Sequence, residues 1–202
     1  STADVSGVEL ALAMNDKLDS NSVEVAHEKV AEVKAAKSEG LMLVRTDQRT
    51  LRARRVIAAA GARLRALDAS GAEALRGKGV SQCAHCDGAF FRGQDVVVVG
   101  GGDSALQEAL VLAPLVRSVA IVVRSRLRAK RAYVERAASA ANVRFVWDTE
   151  VDAVLGNGAV SGVRLRHVTS GRMTEVPCTG VFPFIGVEPN TSFLPSSIRR
   201  DD

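Results

Sequence analysis

The chain has 202 residues, of which 47% are hydrophobic, 25% charged and only 4% aromatic, with a formal net charge of +4. That is the balance of a globular chain long enough to bury a core, and with so few aromatics the packing has to be aliphatic, which suits valine- and alanine-rich α/β layers. No run approaches about eighteen apolar residues and no basic, apolar, small-residue leader opens the chain, so composition argues for neither a membrane span nor secretion.

Taken in order, apolar residues recur on a helical period over residues 8–18, which predicts a helix broken at Asn21-Ser22. Residues 23–25, 30–33 and 41–44 are short β-branched runs that read as strands, with turns at Ser38-Glu39-Gly40 and Thr46-Asp47-Gln48. Residues 51–61 alternate and then turn wholly apolar, as a strand does on entering a covered sheet. Residues 66–79, rich in Ala and Gly without a strong period, read as a connection between two domains. Beyond it come a strand at 95–99, a glycine turn, a helix over 104–115, a strand at 119–123, a helix over 130–141 and a strand at 143–147. This is the βαβαβ half of a doubly wound α/β fold. Alternating runs at 151–155, 160–167 and 173–176, separated by Gly156-Asn157-Gly158 and Ser170-Gly171, predict an antiparallel meander over one face of the parallel sheet. Residues 180–185 form a buried strand running into Gly186, and the polar tail frays. Trp147, His167 and Cys178 read as structural.

Two stretches carry chemistry. Cys83-Ala84-His85-Cys86-Asp87-Gly88 places two cysteines three apart. Such a pair closes a small redox disulfide ring with one thiol of low pKa, or supplies half a zinc site. The zinc reading must find its other ligands among His85, His27, His167 and Cys178, with no second Cys-x-x-Cys or His pair to match. Between the cysteines, His85 either lowers the pKa of a neighbouring thiol as a cation or donor, or faces water. Three cysteines, two of them in a reactive pair, suit a reducing, cytoplasmic compartment. The second stretch is Val96-Val97-Val98-Val99-Gly100-Gly101-Gly102-Asp103-Ser104-Ala105. A β-branched strand followed by Gly100-x-Gly102 and Ala105 at a helix start is close to the G-x-G-x-x-G/A pattern, whose helix N-terminus and bare backbone receive a pyrophosphate. Seven basic residues against the single acid Glu135 lie between Arg117 and Arg136. They are a solvated helix face or a phosphate grip, since no aromatic interleaving or nucleic-acid motif accompanies them.

The run from Cys83 to Gln94, the run from Val97 to Ala109 and Phe182-Pro183-Phe184-Ile185-Gly186-Val187-Glu188-Pro189-Asn190-Thr191 together closely resemble the low-molecular-weight, bacterial-type thioredoxin reductase family, flavin-dependent pyridine nucleotide-disulfide oxidoreductases. The resemblance implies an NADPH domain at 80–190 carrying the dithiol, a partial FAD-domain remnant at 1–79 and a polar tail at 191–202. The implied fold is a doubly wound Rossmann-like NADPH domain with an antiparallel meander. It implies a relay from NADPH through FAD to the Cys83–Cys86 disulfide and on to thioredoxin or a similar protein disulfide. Cys86 would face the flavin, Cys83 would attack the partner and Asp87 would move the proton. The implied cofactor contacts are Gly100, Gly101, Gly102, Asp103, Ser104, Ala105, Arg124, Arg128, Ile185 and Gly186, with no resident metal, no nucleic acid and no membrane; a homodimer stays open. Two departures stand out. Val122 and Val123 replace a His-Arg pair ahead of Arg124, which weakens the 2′-phosphate grip without adding an acid to reverse it. The flavin's own glycine fingerprint and Gly-Asp motif are missing, so the chain reads as the middle of a reductase that does not retain FAD by itself. The alternative is an NADPH-binding module without flavin or turnover.

Overall fold

The computed structural model describes residues 5–36 and 40–199. Ser38 and Glu39 of the expected turn, and the last three residues of the tail, lie outside them. The chain divides into two compact units, Ser1–Ala60 with Asn190–Asp202, and Gly61–Pro189.

The first unit opens with α1 (Gly7–Ser20). Its start is fixed by a capping box: Ser6 Oγ accepts from the Glu9 N–H at 3.3 Å while Glu9 Oε2 accepts from the Ser6 N–H at 2.8 Å. No described side chain of α1 is buried, so the helix rests on local hydrogen bonds. β1 (Val30–Ala35), β2 (Met42–Thr46) and β3 (Thr50–Ala53) form an antiparallel sheet in that order. At the tip between β2 and β3, the buried Thr46 hydroxyl donates to Glu28 at 2.7 Å and accepts from the Arg49 N–H at 2.9 Å, closing the expected turn. One expected strand is absent and another is cut short. Residues 23–25 are spent on leaving the helix, with the Val23 N–H returning to the Leu18 carbonyl at 3.0 Å. β3 stops at Ala53, and residues 54–60 carry no strand: a wholly apolar run needs ladder partners on a covered sheet, none of the described residues pairs with it, and Ile57 stands 92% exposed.

The second unit contains β4 (Ala62–Leu64), α2 (Ala84–Asp87), a 3-10 turn (Gly88–Phe91), β5 (Asp95–Val99), α3 (Asp103–Leu112), β6 (Ser118–Val123), α4 (Arg131–Ser139), β7 (Val143–Trp147), β8 (Thr149–Gly156), β9 (Val160–His167), β10 (Met173–Pro177), β11 (Gly180–Pro183) and β12 (Val187–Pro189). A parallel sheet runs β11-β5-β6-β7. β10-β9-β8 is the antiparallel meander, and β12 pairs with β4 as a two-stranded ribbon.

Alternation along the parallel strands sorts the core into two faces. Val96, Val98, Val119, Ile121, Val123 and Phe182 pack against Ala105, Leu106, Ala109 and Leu112 of α3 and Ala137 of α4. Val97, Val99, Ala120, Val122 and Val181 pack against Val151, Val154, Val163 and Leu165 of the meander. The unit is therefore three layers: helices, parallel sheet, antiparallel sheet. Each of these valines and leucines gains about 1.5–3 kcal/mol from burial, which is why both faces of the central strands are aliphatic.

The helix expected over 104–115 ends at Leu112: Ala113 still has helical backbone and its N–H reaches the Ala109 carbonyl at 2.9 Å, but Pro114 has no N–H with which to continue the ladder. Residues 66–79 are no free connector. Ala72 and Leu75, one helical turn apart, enter the meander face of the core beside Val80, and the Val154 N–H reaches the Ser70 carbonyl at 2.8 Å. The boundary between compact units accordingly falls at Ala60/Gly61 instead of 79/80. Trp147, expected to be structural, ends edge strand β7 half-exposed and stacks on Phe145 at 5.2 Å. His167 closes the Ser170-Gly171 turn by accepting the Ser170 N–H at 3.3 Å. No helix among the described residues is long and apolar enough to cross a membrane.

Candidate functional site

Cys83 and Cys86 are joined in a disulfide with their Cα atoms 5.3 Å apart. Cys83 caps the single turn of α2, its Sγ accepting the Cys86 N–H at 3.1 Å, so the covalent ring and the helix start are one object. Ser81 organises the approach: its Oγ accepts the Cys83 N–H at 3.1 Å and donates to Asp87 Oδ2 at 2.6 Å. Asp87 is thereby tied back onto the backbone of the dithiol it follows. Cys86 and His85 are exposed, Cys83 and Asp87 half-buried. Beside them opens a cleft of about 350 Å³ walled by Cys83, Cys86, Asp87, Leu67, Arg76 and Pro183.

The sequence reading missed Glu108. From the middle of α3, its Oε2 accepts the N–H of Ala84, the first residue of α2, at 2.9 Å, and its Oε1 lies 3.8 Å from His85 Nδ1. This carboxylate fastens the dithiol helix to the helix that leaves the glycine turn. Its only signal in the sequence was an acid at the half-polar boundary of an apolar helix, which reads as solvated.

The glycine turn sits where β5 ends, at the C-terminal edge of the parallel sheet, next to the end of β11. Its three glycines do different things. Gly100 has φ +140°, and a Cβ there would meet the Phe184 carbonyl oxygen at 2.3 Å, so this position brings the turn against the end of β11. A Cβ at Gly101 would meet the Arg126 carbonyl oxygen at 3.0 Å; this residue faces the loop after β6. A Cβ at Gly102 would meet nothing within 4 Å, so this side of the backbone is open to a ligand at the start of α3, beside exposed Ser104. Ala105 is fully buried under the sheet.

The loop after β6 carries exposed Arg124, Arg126 and Arg128. The N–H groups of Arg128 and Ala129 reach the Gly101 carbonyl at 2.7 and 3.1 Å, and Asp103 Oδ1 accepts the Lys130 N–H at 2.7 Å. Asp103, expected against the cofactor, is thus turned toward the arginine loop. Ile185 and Gly186 follow β11 on the same edge, half-buried and exposed respectively. The basic run expected as one cluster splits. Arg117 lies at the opposite, N-terminal end of the sheet, where it pairs with Asp95 of β5, and its hydrogen bond, with that of Ser118, holds the Asp95 carboxyl down at about 2. Cys178 is buried, and burial first, then nearby Asp95, pushes its thiol up to about 12. Among the described residues no group of three or more His, Cys, Asp or Glu side chains is placed to hold a metal ion.

A nicotinamide dinucleotide fits this edge: open glycine backbone at a helix start for a pyrophosphate, and exposed guanidinium groups one strand over. The described residues present no second strand, glycine turn and helix for a flavin's pyrophosphate, since the one helix of the first unit starts from a capping box.

Comparison with known proteins gives the family. The thioredoxin reductase of Mycolicibacterium smegmatis is 42% identical over 176 residues, covering 86% of this chain and 57% of its own length. That of Treponema pallidum is 38% identical over 194 residues, covering 96% and 62%. The crystal structure of Lactococcus lactis thioredoxin reductase superposes with a TM-score of 0.82 at 33% identity over 96% of this chain and 64% of that one. The chain thus spans about three-fifths of the length of these relatives. The sequence model described as pyridine nucleotide-disulphide oxidoreductase matches residues 4–200, nearly the whole chain, and with a paired dithiol hydrogen-bonded to the helix of a dinucleotide turn, the chain belongs to that family.

Proposed function

We propose that this chain is the nucleotide- and dithiol-bearing part of a cytoplasmic, thioredoxin-reductase-type enzyme, in which two electrons from NADPH pass via FAD to the Cys83–Cys86 disulfide and on to a thioredoxin-like protein disulfide. The observation that carries this reading is the Glu108 hydrogen bond, which sets a redox-capable pair on the helix that opens from the glycine turn. On this reading Gly61–Pro189 holds a doubly wound, Rossmann-like NADPH domain, and its parallel order, with β5 central and the turn at its C-terminal end beside β11, supports a nucleotide at the point where the strand order reverses. Gly102 and the α3 N-terminus receive the pyrophosphate, Ser104, Ile185 and Gly186 border it, and Arg124 and Arg128 grip the 2′-phosphate.

When bound, flavin supplies the two-electron link between nicotinamide and cystine; the described residues do not form its pyrophosphate site. What these residues do is thiol chemistry. In the reduced pair, the Cys83 thiolate attacks one sulfur of the partner's disulfide, forming a mixed disulfide and releasing a partner thiolate. The Cys86 thiolate then attacks Cys83 Sγ, reforming the intramolecular disulfide and releasing the second partner thiolate. The partner gains two electrons and two protons while the Cys83–Cys86 pair loses the same. Asp87 moves the proton at this pair on this reading, and its hydrogen bond from Ser81, whose Oγ also accepts the Cys83 N–H, supports that role.

The test is NADPH-dependent reduction of thioredoxin by the chain supplied with FAD, against Cys83→Ser and Cys86→Ser, with direct nucleotide titration alongside. Thiol release that both serine variants abolish supports the reading. A parent chain that binds no nicotinamide nucleotide sinks it. NADPH binding without thiol release, with or without flavin, selects the second reading, a nucleotide-binding module without turnover; the single glycine turn among the described residues favours it.

A further inference from the structure

Resting on the nucleotide reading above, we infer that Asp103 is a positioning residue for cofactor choice: it holds the arginine loop in place and leaves the cofactor's pyrophosphate to others. An acid at the first position of the helix that receives a pyrophosphate is a problem in itself, because its charge repels the ligand. The geometry resolves it. The Asp103 carboxylate is aimed at the next loop, where Oδ1 accepts the Lys130 N–H at 2.7 Å and Oδ2 lies 3.9 Å from Lys130 Nζ.

The same loop is clasped a second time by Gly101, whose carbonyl accepts from Arg128 at 2.7 Å and Ala129 at 3.1 Å. Gly101 also lets the Arg126 carbonyl come so near that an added Cβ would stand 3.0 Å from its oxygen, a tight contact. Three consecutive backbone N–H groups, of residues 128, 129 and 130, are therefore spent on the glycine turn and its first helical residue. The guanidinium groups of Arg124 and Arg128 extend from a loop that has no secondary structure from 124 to 130. Without the latch they are long, exposed side chains on a free loop, and gripping a 2′-phosphate must then order both loop and side chains. With Val122 and Val123 in place of more basic neighbours, preorganisation of the two remaining arginines matters more.

The latch acts on the 2′-phosphate and not on the parts NADPH and NADH share, so the readout is the ratio of the two affinities. Titrate the full chain with NADPH and with NADH for the parent, Asp103→Ala, Asp103→Asn, Lys130→Pro and Lys130→Ala. Lys130 has φ −56°, which proline adopts, so Lys130→Pro deletes the same N–H donor without forcing the backbone at that residue. Asp103→Ala is expected to cut the NADPH preference by about tenfold, about 1.4 kcal/mol, with the NADH affinity within about twofold of the parent. Lys130→Pro should reproduce this, and the double variant should add little to either single change. Asp103→Asn, which keeps the acceptor, and Lys130→Ala, which keeps the N–H, should retain most of the preference. Equal loss for both cofactors would make Asp103 part of the shared pyrophosphate site, and an unchanged ratio in Asp103→Ala and Lys130→Pro would make the latch irrelevant; either overturns the inference. A parent that binds NADPH while the ratio stays fixed refutes only the latch, whereas a parent that binds neither nucleotide removes the reading beneath it.

Discussion

Removing the Glu108 carboxylate should loosen the dithiol more than its position on a solvated helix face suggests. Its partner is the N–H of Ala84, a residue 1% exposed and the first of α2, where no intrahelical acceptor exists. Glu108→Ala leaves that donor buried and unmatched, which costs about 1–3 kcal/mol, while Glu108→Gln retains an amide oxygen in the same place and should lose less than about 1 kcal/mol. The contact with His85 adds little to the difference, since the imidazole is 71% exposed and its nearest approach is 3.8 Å. With a urea slope of about 1–3 kcal/mol per molar, Glu108→Ala should lower the midpoint by about 1 M. Trp147, the only tryptophan, lies in the same compact unit and reports that unit's transition by fluorescence. Amide hydrogen exchange locates the effect: protection of residues 84–87 should fall first. A Glu108→Ala chain with an unchanged midpoint and unchanged protection at Ala84 would refute the argument, as would Gln and Ala variants that lose equally.

Other outcomes follow from the same contacts. Thiol alkylation should modify Cys83 and Cys86 only after mild reduction and leave Cys178 untouched until the chain unfolds, because its thiol is buried and pushed up to about 12; early labelling of Cys178 would contradict its packing. Arg124→Ala and Arg128→Ala should each weaken NADPH by about 1.5–3 kcal/mol in titrations while sparing NADH, and equal losses for both nucleotides would assign the arginines elsewhere. Asp95, held at about 2 by Arg117 and Ser118 against about 3.9 when unfolded, contributes stability that is complete above about pH 4 and is lost as pH falls toward 2. The partner is exposed, so the amount is about 1 kcal/mol, and Asp95→Asn should flatten that acid limb of a stability–pH curve. Loaded with FAD and desalted, the chain should keep no stoichiometric flavin absorbance, because one glycine turn cradles one pyrophosphate; a retained flavin spectrum would show a site that the described residues do not reveal.

The second unit was legible because its signals are local and mutually consistent. Residues 95–99 and 119–123 are continuous β-branched runs that only a sheet covered on both faces explains, and the meander announced itself by alternation and glycine turns. The dithiol and the glycine turn were visible because their spacing is the chemistry. Failures occurred where structure depends on what lies beside a segment. Residues 54–60 have the composition of a buried strand, but a strand exists only with ladder partners, and composition cannot count them. Ala72 and Leu75 looked like linker because two apolar residues in a glycine- and alanine-rich stretch make no period, although two suffice to anchor it. Trp147 could be read as structural from its type, yet its half-exposed place on an edge strand is a matter of sheet order. The roles of Asp103 and Glu108 were illegible for a further reason: each side chain satisfies a backbone N–H more than twenty residues away, and backbone donors leave no mark in a sequence.

Those two carboxylates also explain how one short helix serves two sites. Asp103 and Glu108 are five residues apart, so on a helix of about 3.6 residues per turn they leave the axis about 140° apart, one toward the loop before α4 and the other toward α2. Neither direction is the apolar one: Ala105, Leu106, Ala109 and Leu112 keep the remaining side against β5 and β6. α3 can therefore be held rigidly by the sheet while each acid fastens a segment with little regular structure of its own, the arginine loop on one side and a one-turn dithiol helix on the other. Moving either acid by one residue rotates it by about 100°, into the core or into water. A chain in which Glu108 and Ala109 exchange places should then lose both the Ala84 acceptor and a packed methyl group, and should unfold more readily than Glu108→Ala alone. If the exchanged chain were instead as stable as the parent, the position of the carboxylate on the helix would not be what holds the dithiol.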